Sequence, residues 1–262
     1  MGRIVAVANQ KGGVGKTTTT INVAASMAMA GQRVLLVDVD PQGNLTSGVG
    51  QKGKAAPAGT IYHALTTAEP MTEAAAFIIP TAIDRLQLIP ADRSLTGAEI
   101  ELVPLVQREE RLRALLTPIR HEFDYLFIDC PPSLGLLTLN ALVAADAVLI
   151  PLHCEYFALE GLADLVSTMR RVRASLNPEL DIEGVLLTMF DERTNLGQQV
   201  ALDVRQFFKE KVFRTVIPRN VRLGEAPSHG MPVILYDVKS RGAEAYLALA
   251  REVLARSAAT AA

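Results

Sequence analysis

A glycine-rich stretch near the start of the chain, residues 4–20, constrains the fold more than any other part of the sequence. Its apolar run, residues 4–8, is followed by Gly12, Gly13 and Gly15 and then by consecutive threonines. This order is typical of a buried strand, a tight turn and a helix. Glycine tolerates positive φ, so these residues let backbone N–H groups converge at the positive end of the following helix. The stretch therefore predicts an anion-binding cradle.

The residues after the last of these glycines indicate which anion is bound. At this position Lys16 can reach the β- and γ-phosphates of a nucleotide, and the Thr17 hydroxyl can ligate Mg²⁺. The strand–turn–helix context makes the Gly-Lys-Thr sequence specific for a phosphate site. One departure is that Gln10 stands where the usual pattern has glycine, with Lys11 next to it. Lys11 lies too far round the turn to share a phosphate with Lys16, which leaves it able to point toward a phosphate bound by a second copy.

Two further apolar strands end in aspartates. Residues 34–37 lead into Asp38 and Asp40, and residues 125–128 lead into Asp129. Ligands of open α/β folds bind at the carboxyl ends of the strands. In a phosphate-loop protein, an aspartate at the position of Asp129 helps to hold Mg²⁺. Capping of a helix or turn is the alternative role for each of these carboxylates.

Strand-like and helix-like patterns alternate along the rest of the chain. We expect further strands at 86–89, 147–152, 182–188 and 212–217. We expect helices at 17–30, 60–65, 71–76, 94–103, 108–116, 136–144, 157–176, 197–208 and 241–256. This alternation predicts an α/β fold with a mostly parallel twisted sheet covered by helices on both faces. With 262 residues, 49% of them hydrophobic, the chain fits a single domain over 1–262.

Composition narrows the classes of function. The net charge is −2, so any nucleic-acid binding must come from a local patch and be salt-sensitive. Cys130 and Cys154 lie in or beside apolar runs, which favours reduced, buried thiols in a cytoplasmic protein over a disulfide. We find no apolar run of the roughly 18 residues that a membrane span needs.

The residues 11–18, Lys-Gly-Gly-Val-Gly-Lys-Thr-Thr, resemble the deviant Walker A motif of the ParA/MinD ATPases. Together with residues 38–44 and 217–223, they make nearly the whole chain similar to the small chromosomal ParA (Soj) proteins. The resemblance implies a P-loop NTPase-like fold, with ATP or ADP and Mg²⁺ as cofactors. It implies that the loop residues contact the nucleotide, namely Lys11, Gly12, Gly13, Val14, Gly15, Lys16, Thr17 and Thr18. It also implies that Pro218 and Asn220 contact the adenine.

The resemblance also implies catalytic roles. Asp40 would orient or activate the attacking water, and Lys16 would neutralise phosphate charge. Lys11 would cross to the nucleotide of a partner chain, which makes ATP binding and homodimer formation one event. Thr17 and Asp129 would hold Mg²⁺, with Asp38 supporting the water shell of the metal.

DNA is the partner that the resemblance implies, together with a ParB-type protein that stimulates hydrolysis. Arg193 and Arg222 match arginines that bind double-stranded DNA without sequence preference in relatives, and only in the dimer. Lys209, Lys211 and Arg214 are candidate neighbours of these arginines. For these three, a solvated charged surface explains the charges as well as DNA binding does. The expected location is the cytoplasm, on the nucleoid.

Other classes of function remain as alternatives. A MinD-like regulator of the division site needs a basic amphipathic tail, and residues 257–262 do not provide one. An electron-transfer protein like nitrogenase iron protein needs cluster ligands, yet no ligand-like motif surrounds Cys130 or Cys154. A nucleotide-sensing scaffold would differ only in lacking turnover. No helix-turn-helix domain precedes the loop, so we expect no sequence-specific DNA binding by such a domain.

Overall fold

A seven-stranded sheet forms the centre of the molecule. The computed structural model describes residues 1–67, 74–155 and 158–261. The strand order is β3-β4-β2-β5-β1-β6-β7, and each pair is parallel except β3–β4. The strands are β1 (Arg3–Val7), β2 (Val34–Asp38), β3 (Ile79–Pro80), β4 (Leu86–Ile89), β5 (Tyr125–Asp129), β6 (Ala147–His153) and β7 (Asp181–Thr188). The prediction of a mostly parallel α/β sheet is confirmed.

Helices cover both faces of this sheet. Along β1, Ile4 and Ala6 enter one apolar cluster and Val5 and Val7 enter another, because side chains alternate along a strand. Helices α1 and α11 pack together on the second cluster, and α5, α6 and α7 lie on the first. The α-helices are α1 (Lys16–Met29), α2 (Asn44–Gly48), α3 (Ile61–Thr66), α4 (Leu95–Glu101), α5 (Arg111–Ile119), α6 (Leu136–Ala144), α7 (Ala158–Ser175), α8 (Asn195–Phe208), α9 (Val221–Glu225), α10 (Val233–Tyr236) and α11 (Arg241–Ala261).

The sheet register brings the predicted site residues to one edge. Asp129 at the end of β5 is level with Val7 on one side and with Asp38 on the other. The loop after β1 therefore leaves the sheet beside the aspartates that end β2 and β5. This is the arrangement expected at the carboxyl edge of a parallel sheet.

The predicted strand 212–217 is wrong. The chain follows the edge of β7 and makes isolated bridges there, between Val185 and Val212 and between Phe190 and Pro218. Between these bridges, the backbone N–H groups of Arg214 and Thr215 donate to the carboxylate of Glu252 on α11, at 2.8 and 3.0 Å. A side chain distant in sequence thus interrupts the pairing with β7, which resumes only where Ile217 N donates to Leu187 O at 2.9 Å.

Several helix boundaries also differ from the predictions. Helix α5 begins at Arg111 rather than at 108, because Asn140 binds the chain just before it: Asn140 Nδ2 donates to Arg108 O and its Oδ1 accepts from Leu112 N. Helix α2 and strand β3 were not expected. The predicted helix 71–76 lies partly outside the described residues, as does the start of the predicted helix 157–176. Within the described ranges, no helix is long and apolar enough to cross a membrane.

Candidate functional site

The loop between β1 and α1 has the conformation of an anion cradle. Gly13 and Gly15 have φ values of 72° and 87°, in the left-handed region that favours glycine. Gly12 does not adopt a positive φ, so the expectation of one there is wrong. Lys16 begins α1, is buried, and its Nζ donates to Lys11 O at 3.1 Å. Burial lowers the pKa of Lys16, since desolvation disfavours the charged form.

Two hydroxyls on successive turns of α1 bind the carboxylate of Asp129. Thr17 Oγ1 donates to Asp129 Oδ2 at 2.7 Å, and Thr20 Oγ1 donates to Asp129 Oδ1 at 2.9 Å. Thr20 was not among the predicted residues, although its spacing of three from Thr17 places both on one helix face. Asp129 is fully buried, and desolvation, with a smaller contribution from nearby Asp38, raises its pKa to about 8.

The carboxylate of Asp38 is buried and held by hydrogen bonds to its neighbours. It is fully buried, and its Oδ2 accepts from both the backbone N and the Oγ1 of Thr46, at 2.9 and 2.7 Å. Its Oδ1 accepts from Asp40 N at 3.2 Å. Burial raises its pKa to about 6. Asp38 thus fixes the backbone that presents Asp40.

This carboxylate and hydroxyl set fits a divalent cation. The oxygens of Thr17 and Asp129 are hard donors of the type that Mg²⁺ prefers. Asp38 lies beside Asp129 in the sheet with its own oxygens already bound, so it can support such a site but does not face it. The raised pKa values of the two aspartates show that negative charge is costly here, and a cation would offset that cost.

A cavity of about 640 Å³ joins the loop to the segment after residue 217. Its lining includes the predicted residues Gly12, Gly13, Gly15, Lys16, Thr17, Thr18, Asp40, Pro218 and Asn220. Asp40 accepts from Gln42 N through Oδ1 at 2.9 Å, which orients its carboxylate beside the cavity. Asn220 uses Oδ1 to cap α9 by accepting from Arg222 N at 2.9 Å. The cavity has the size and polarity of a small-molecule site.

Residues that sequence reasoning missed complete this cavity. Thr188, at the end of β7, donates through Oγ1 to Val14 O at 2.8 Å and so ties the loop to the sheet. The other lining residues that were not predicted are Gln42, Asn44, Pro132, Met189, Ile217, Arg219, Val221, Leu223, Gly224 and Tyr246. Thr188 follows the strand-end rule that identified Asp129, so its position was the available signal.

Lys11 points away from the cradle of its own chain. Its Nζ donates to Glu155 Oε2 at 2.6 Å, and its backbone N donates to Asn9 Oδ1 at 3.0 Å. Glu155 follows β6 and also lies 2.9 Å from His153 Nδ1 through Oε1. Neither Glu155 nor His153 was predicted, since they are far from the loop in sequence.

The arginines predicted to bind DNA are both held by carboxylates. Arg193 Nε and Nη2 donate to Asp191 at 2.9 and 2.7 Å, although the Arg193 side chain is 88% exposed. This hydrogen bonding lowers the pKa of Asp191. Arg222 pairs with Glu225 at 2.7 Å and with Asp237 at 3.3 Å.

The candidate neighbours of these arginines lie elsewhere. Lys211 pairs with Asp181 at 2.7 Å, at the start of β7, whereas Arg193 follows the end of that strand. The strand separates the two positions by about 23 Å. Lys211, with Lys209 and Arg214, instead lines a second cavity of about 1090 Å³ at the start of β7. They are therefore not neighbours of Arg193.

Both cysteines are free, buried thiols. Burial raises the pKa of Cys154 to about 11 and raises that of Cys130 as well. Both side chains are therefore thiols rather than thiolates, as expected for cysteines buried in an apolar core.

Sequence comparison shows that this chain is similar to proteins of one family. The family described as AAA domain matches residues 2–182. The chromosome partitioning protein ParA of Myxococcus xanthus is 58% identical over 256 residues, covering 98% of this chain and 89% of that protein. The sporulation initiation inhibitor protein Soj of Bacillus subtilis is 57% identical over 255 residues, covering 97% of this chain and 99% of that protein.

Solved structures agree with this assignment. Cobyrinic acid a,c-diamide synthase from Mycobacterium smegmatis, with bound ATP analog and magnesium, has a TM-score of 0.82 at 38% identity and covers 97% of this chain and 95% of that one. A putative plasmid partition protein from Borrelia burgdorferi bound to AMPPNP has a TM-score of 0.81 at 26% identity, covering 98% and 100%. The cell division ATPase MinD of Pyrococcus furiosus has a TM-score of 0.78 at 25% identity, covering 97% and 98%. The chain therefore belongs to the ParA/Soj family of chromosome-partitioning ATPases.

Proposed function

We propose that this chain is an ATP-dependent DNA-partitioning switch formed by a single domain, residues 1–262. ATP binding produces a homodimer that sandwiches two nucleotides, and this dimer binds double-stranded DNA without sequence preference. A ParB-type partner then stimulates a weak intrinsic ATPase activity on the nucleoid. One observation carries the proposal: a single cavity is lined by the phosphate loop, by Asp40 and by Pro218 and Asn220.

The nucleotide would lie along this cavity. Backbone N–H groups of the loop and the Lys16 ammonium would hold the phosphates, and Asn220 would offer a donor and an acceptor to the adenine edge. Thr17 and Asp129 would hold Mg²⁺, while the buried Asp38 would support them from behind. The metal, when bound, neutralises charge on the β- and γ-phosphate oxygens.

Asp129→Asn is expected to uncouple nucleotide affinity from magnesium. The amide keeps the size of the side chain but cannot become the carboxylate that a bound cation would stabilise, so the gain in ATP affinity on adding Mg²⁺ should fall by about tenfold or more. Titration of a fluorescent ATP analogue, with Mg²⁺ and with a chelator, measures this gain. Equal gains in the variant and in wild type would rule out Asp129 as a ligand. Affinity in chelator is the internal control and should match wild type.

Hydrolysis requires an oriented water and neutralised phosphate charge. Asp40 would take the first role, and the hydrogen bonds of its backbone to Asp38 and of its carboxylate to Gln42 N support this proposal. Lys11 of the partner chain would serve the second role, because its side chain leaves its own cradle. Hydrolysis would then loosen the dimer by removing the γ-phosphate that Lys11 binds.

DNA binding by the dimer follows from counting positive charges. A chain with a net charge of −2 has little general attraction for DNA, so Arg193 and Arg222 must act locally. Dimerisation doubles the number of these arginines on one particle, and paired weak contacts bind far more tightly than single ones. This gives ATP control over DNA affinity without a further conformational change.

Arg193→Ala combined with Arg222→Ala is expected to abolish DNA retention while leaving the ATP-bound dimer intact. The doubly substituted dimer lacks two arginines in each chain and should lose about four phosphate contacts. Each lost contact reduces the slope of log K against log salt by about 0.9. Retention on DNA with ADP, ATP and a slowly hydrolysed analogue measures this effect. Arg170→Ala with Arg171→Ala, on α7, is the matched control. Retention by wild type in ADP as strong as in ATP would refute the switch.

The MinD-like alternative makes a different prediction in the same assay. An ATP-bound MinD-like regulator would be retained on anionic lipid vesicles rather than on DNA. A vesicle arm without DNA therefore separates the two functions. Adding a ParB-type protein to the DNA arm should release the dimer by stimulating hydrolysis.

A further inference from the structure

Four side chains form a cluster beside the phosphate loop, and no role has been given to three of them. The Glu155 cluster consists of Lys11, Glu155, His153 and Arg219. Glu155 accepts from Lys11 Nζ through Oε2 at 2.6 Å and faces His153 Nδ1 through Oε1 at 2.9 Å. Arg219 Nη2 lies 3.5 Å from His153 Nε2. Both oxygens of the Glu155 carboxylate are thus engaged, one of them by Lys11.

The loop backbone is fastened to the same end of β6. Asn9 Nδ2 donates to Pro151 O at 2.8 Å, and its Oδ1 accepts from Lys11 N at 3.0 Å. The Lys11 main chain and side chain are therefore both fixed against the β6 end of the sheet. The hydrogen bond from Lys11 also lowers the pKa of Glu155, which favours the carboxylate form that accepts this hydrogen bond.

This contact competes with the task assigned to Lys11. Lys11 Nζ is held 2.6 Å from Glu155, on the β6 side of its own loop, so we infer that the side chain must swing away from Glu155 to reach phosphate in a partner chain. Dimer formation must therefore break the contact once in each chain. A contact that is present only before dimerisation opposes dimerisation.

We propose that Glu155 is a positioning residue that holds Lys11 in its own chain and thereby sets the concentration at which the ATP-bound protein dimerises. The proposal rests on the proposed function, in which Lys11 acts on the nucleotide of the partner. His153 supports Glu155 by fixing its second oxygen. Glu155 acts through Lys11 and is not itself a catalytic residue.

The effect of Glu155 on the dimer dissociation constant can be estimated from the exposure of the ion pair and the two-fold symmetry of the dimer. The side chains of Lys11 and Glu155 are 33% and 47% exposed, so solvent screens the pair and its contribution is about threefold in an equilibrium constant. A two-fold dimer releases two such pairs, and the factors multiply to about tenfold. Glu155→Gln should accordingly lower the dimer dissociation constant by about tenfold.

The experiment compares Glu155→Gln with Glu160→Gln. Glu160 is exposed on α7, so its substitution removes the same charge five residues away without touching Lys11. The first measurement is the labelling rate of Lys11 by an amine-reactive reagent in the nucleotide-free protein, read by peptide mass spectrometry. The second is the dimer dissociation constant with a slowly hydrolysed ATP analogue, from sedimentation.

The expected result is faster labelling of Lys11 and tighter dimerisation in Glu155→Gln, with Glu160→Gln like wild type. Structural damage would loosen the dimer, so a gain cannot come from it. If the wild type dimerises, either of two results for Glu155→Gln overturns the proposal: an unchanged labelling rate of Lys11, or faster labelling together with weaker dimerisation. A wild type that fails to dimerise with the analogue at any concentration refutes the proposed function, and the labelling rate then still tests the contact itself.

Discussion

Lys16→Ala is expected to weaken ATP binding by at least about a hundredfold and to abolish ATP-dependent dimerisation and DNA retention. Lys16 begins α1 at the base of the cradle, where its buried ammonium can donate to two phosphate groups. Hydrogen bonds between charged groups contribute about 1.5–3 kcal/mol each, and two are lost together. Isothermal titration with ATP and Mg²⁺ measures the change.

The stability of the nucleotide-free protein provides the control for this substitution. Burial already lowers the pKa of Lys16, so the charged side chain costs desolvation free energy in the absence of phosphate. The free energy of unfolding without nucleotide should therefore stay within about 1 kcal/mol of wild type. Lys54→Ala, on the exposed loop after α2, should bind ATP normally. Binding by Lys16→Ala within threefold of wild type would exclude a phosphate contact.

Gly12→Val is expected to block the ATP-bound dimer while leaving nucleotide binding nearly unchanged. Gly12 has no positive φ, and a Cβ at this position would meet nothing within 4 Å, so a side chain can start here without backbone strain or a close contact. Any clash must then come from a second chain approaching the loop. Overpacking costs about 1–3 kcal/mol at each site and occurs twice in a two-fold dimer, so the dissociation constant should rise about thirtyfold or more.

Gly13→Val separates the two effects of a side chain in this loop. Gly13 has a φ of 72°, so valine there strains the cradle itself and should weaken ATP binding as well as dimerisation. Light scattering with a slowly hydrolysed analogue reports dimerisation, and titration with ATP reports binding. A normal dimer formed by Gly12→Val would show that the loops do not approach each other.

Local sequence patterns were enough to predict the centre of the fold. Strand β1, the loop and α1 are adjacent in sequence, so turn residues and hydrophobic pattern determine them together. Asp38 and Asp129 were predictable because each ends an apolar strand, and parallel strands bring their ends to one edge. The resemblance to a family added Pro218 and Asn220, which the pattern alone leaves as an ordinary turn.

Features that depend on distant residues were not predictable. The segment 212–217 has a strand-like composition, but Glu252 on α11 takes the backbone N–H groups of Arg214 and Thr215 in its middle. The contact of Lys11 with Glu155 joins residues that are 144 positions apart, and no spacing rule connects them. Single-domain organisation and the roles of Arg193 and Arg222 in DNA binding stay predictions.

The two hydroxyls that bind Asp129 affect how a cation would enter the site. Each oxygen of the carboxylate has its own tether, Thr17 on one and Thr20 on the other. Thr17 can turn its lone pairs to an arriving cation by rotating one O–H bond, while Thr20 keeps the aspartate in place. Filling the cation site would then leave the aspartate where it is, with no shift of β5 beneath it.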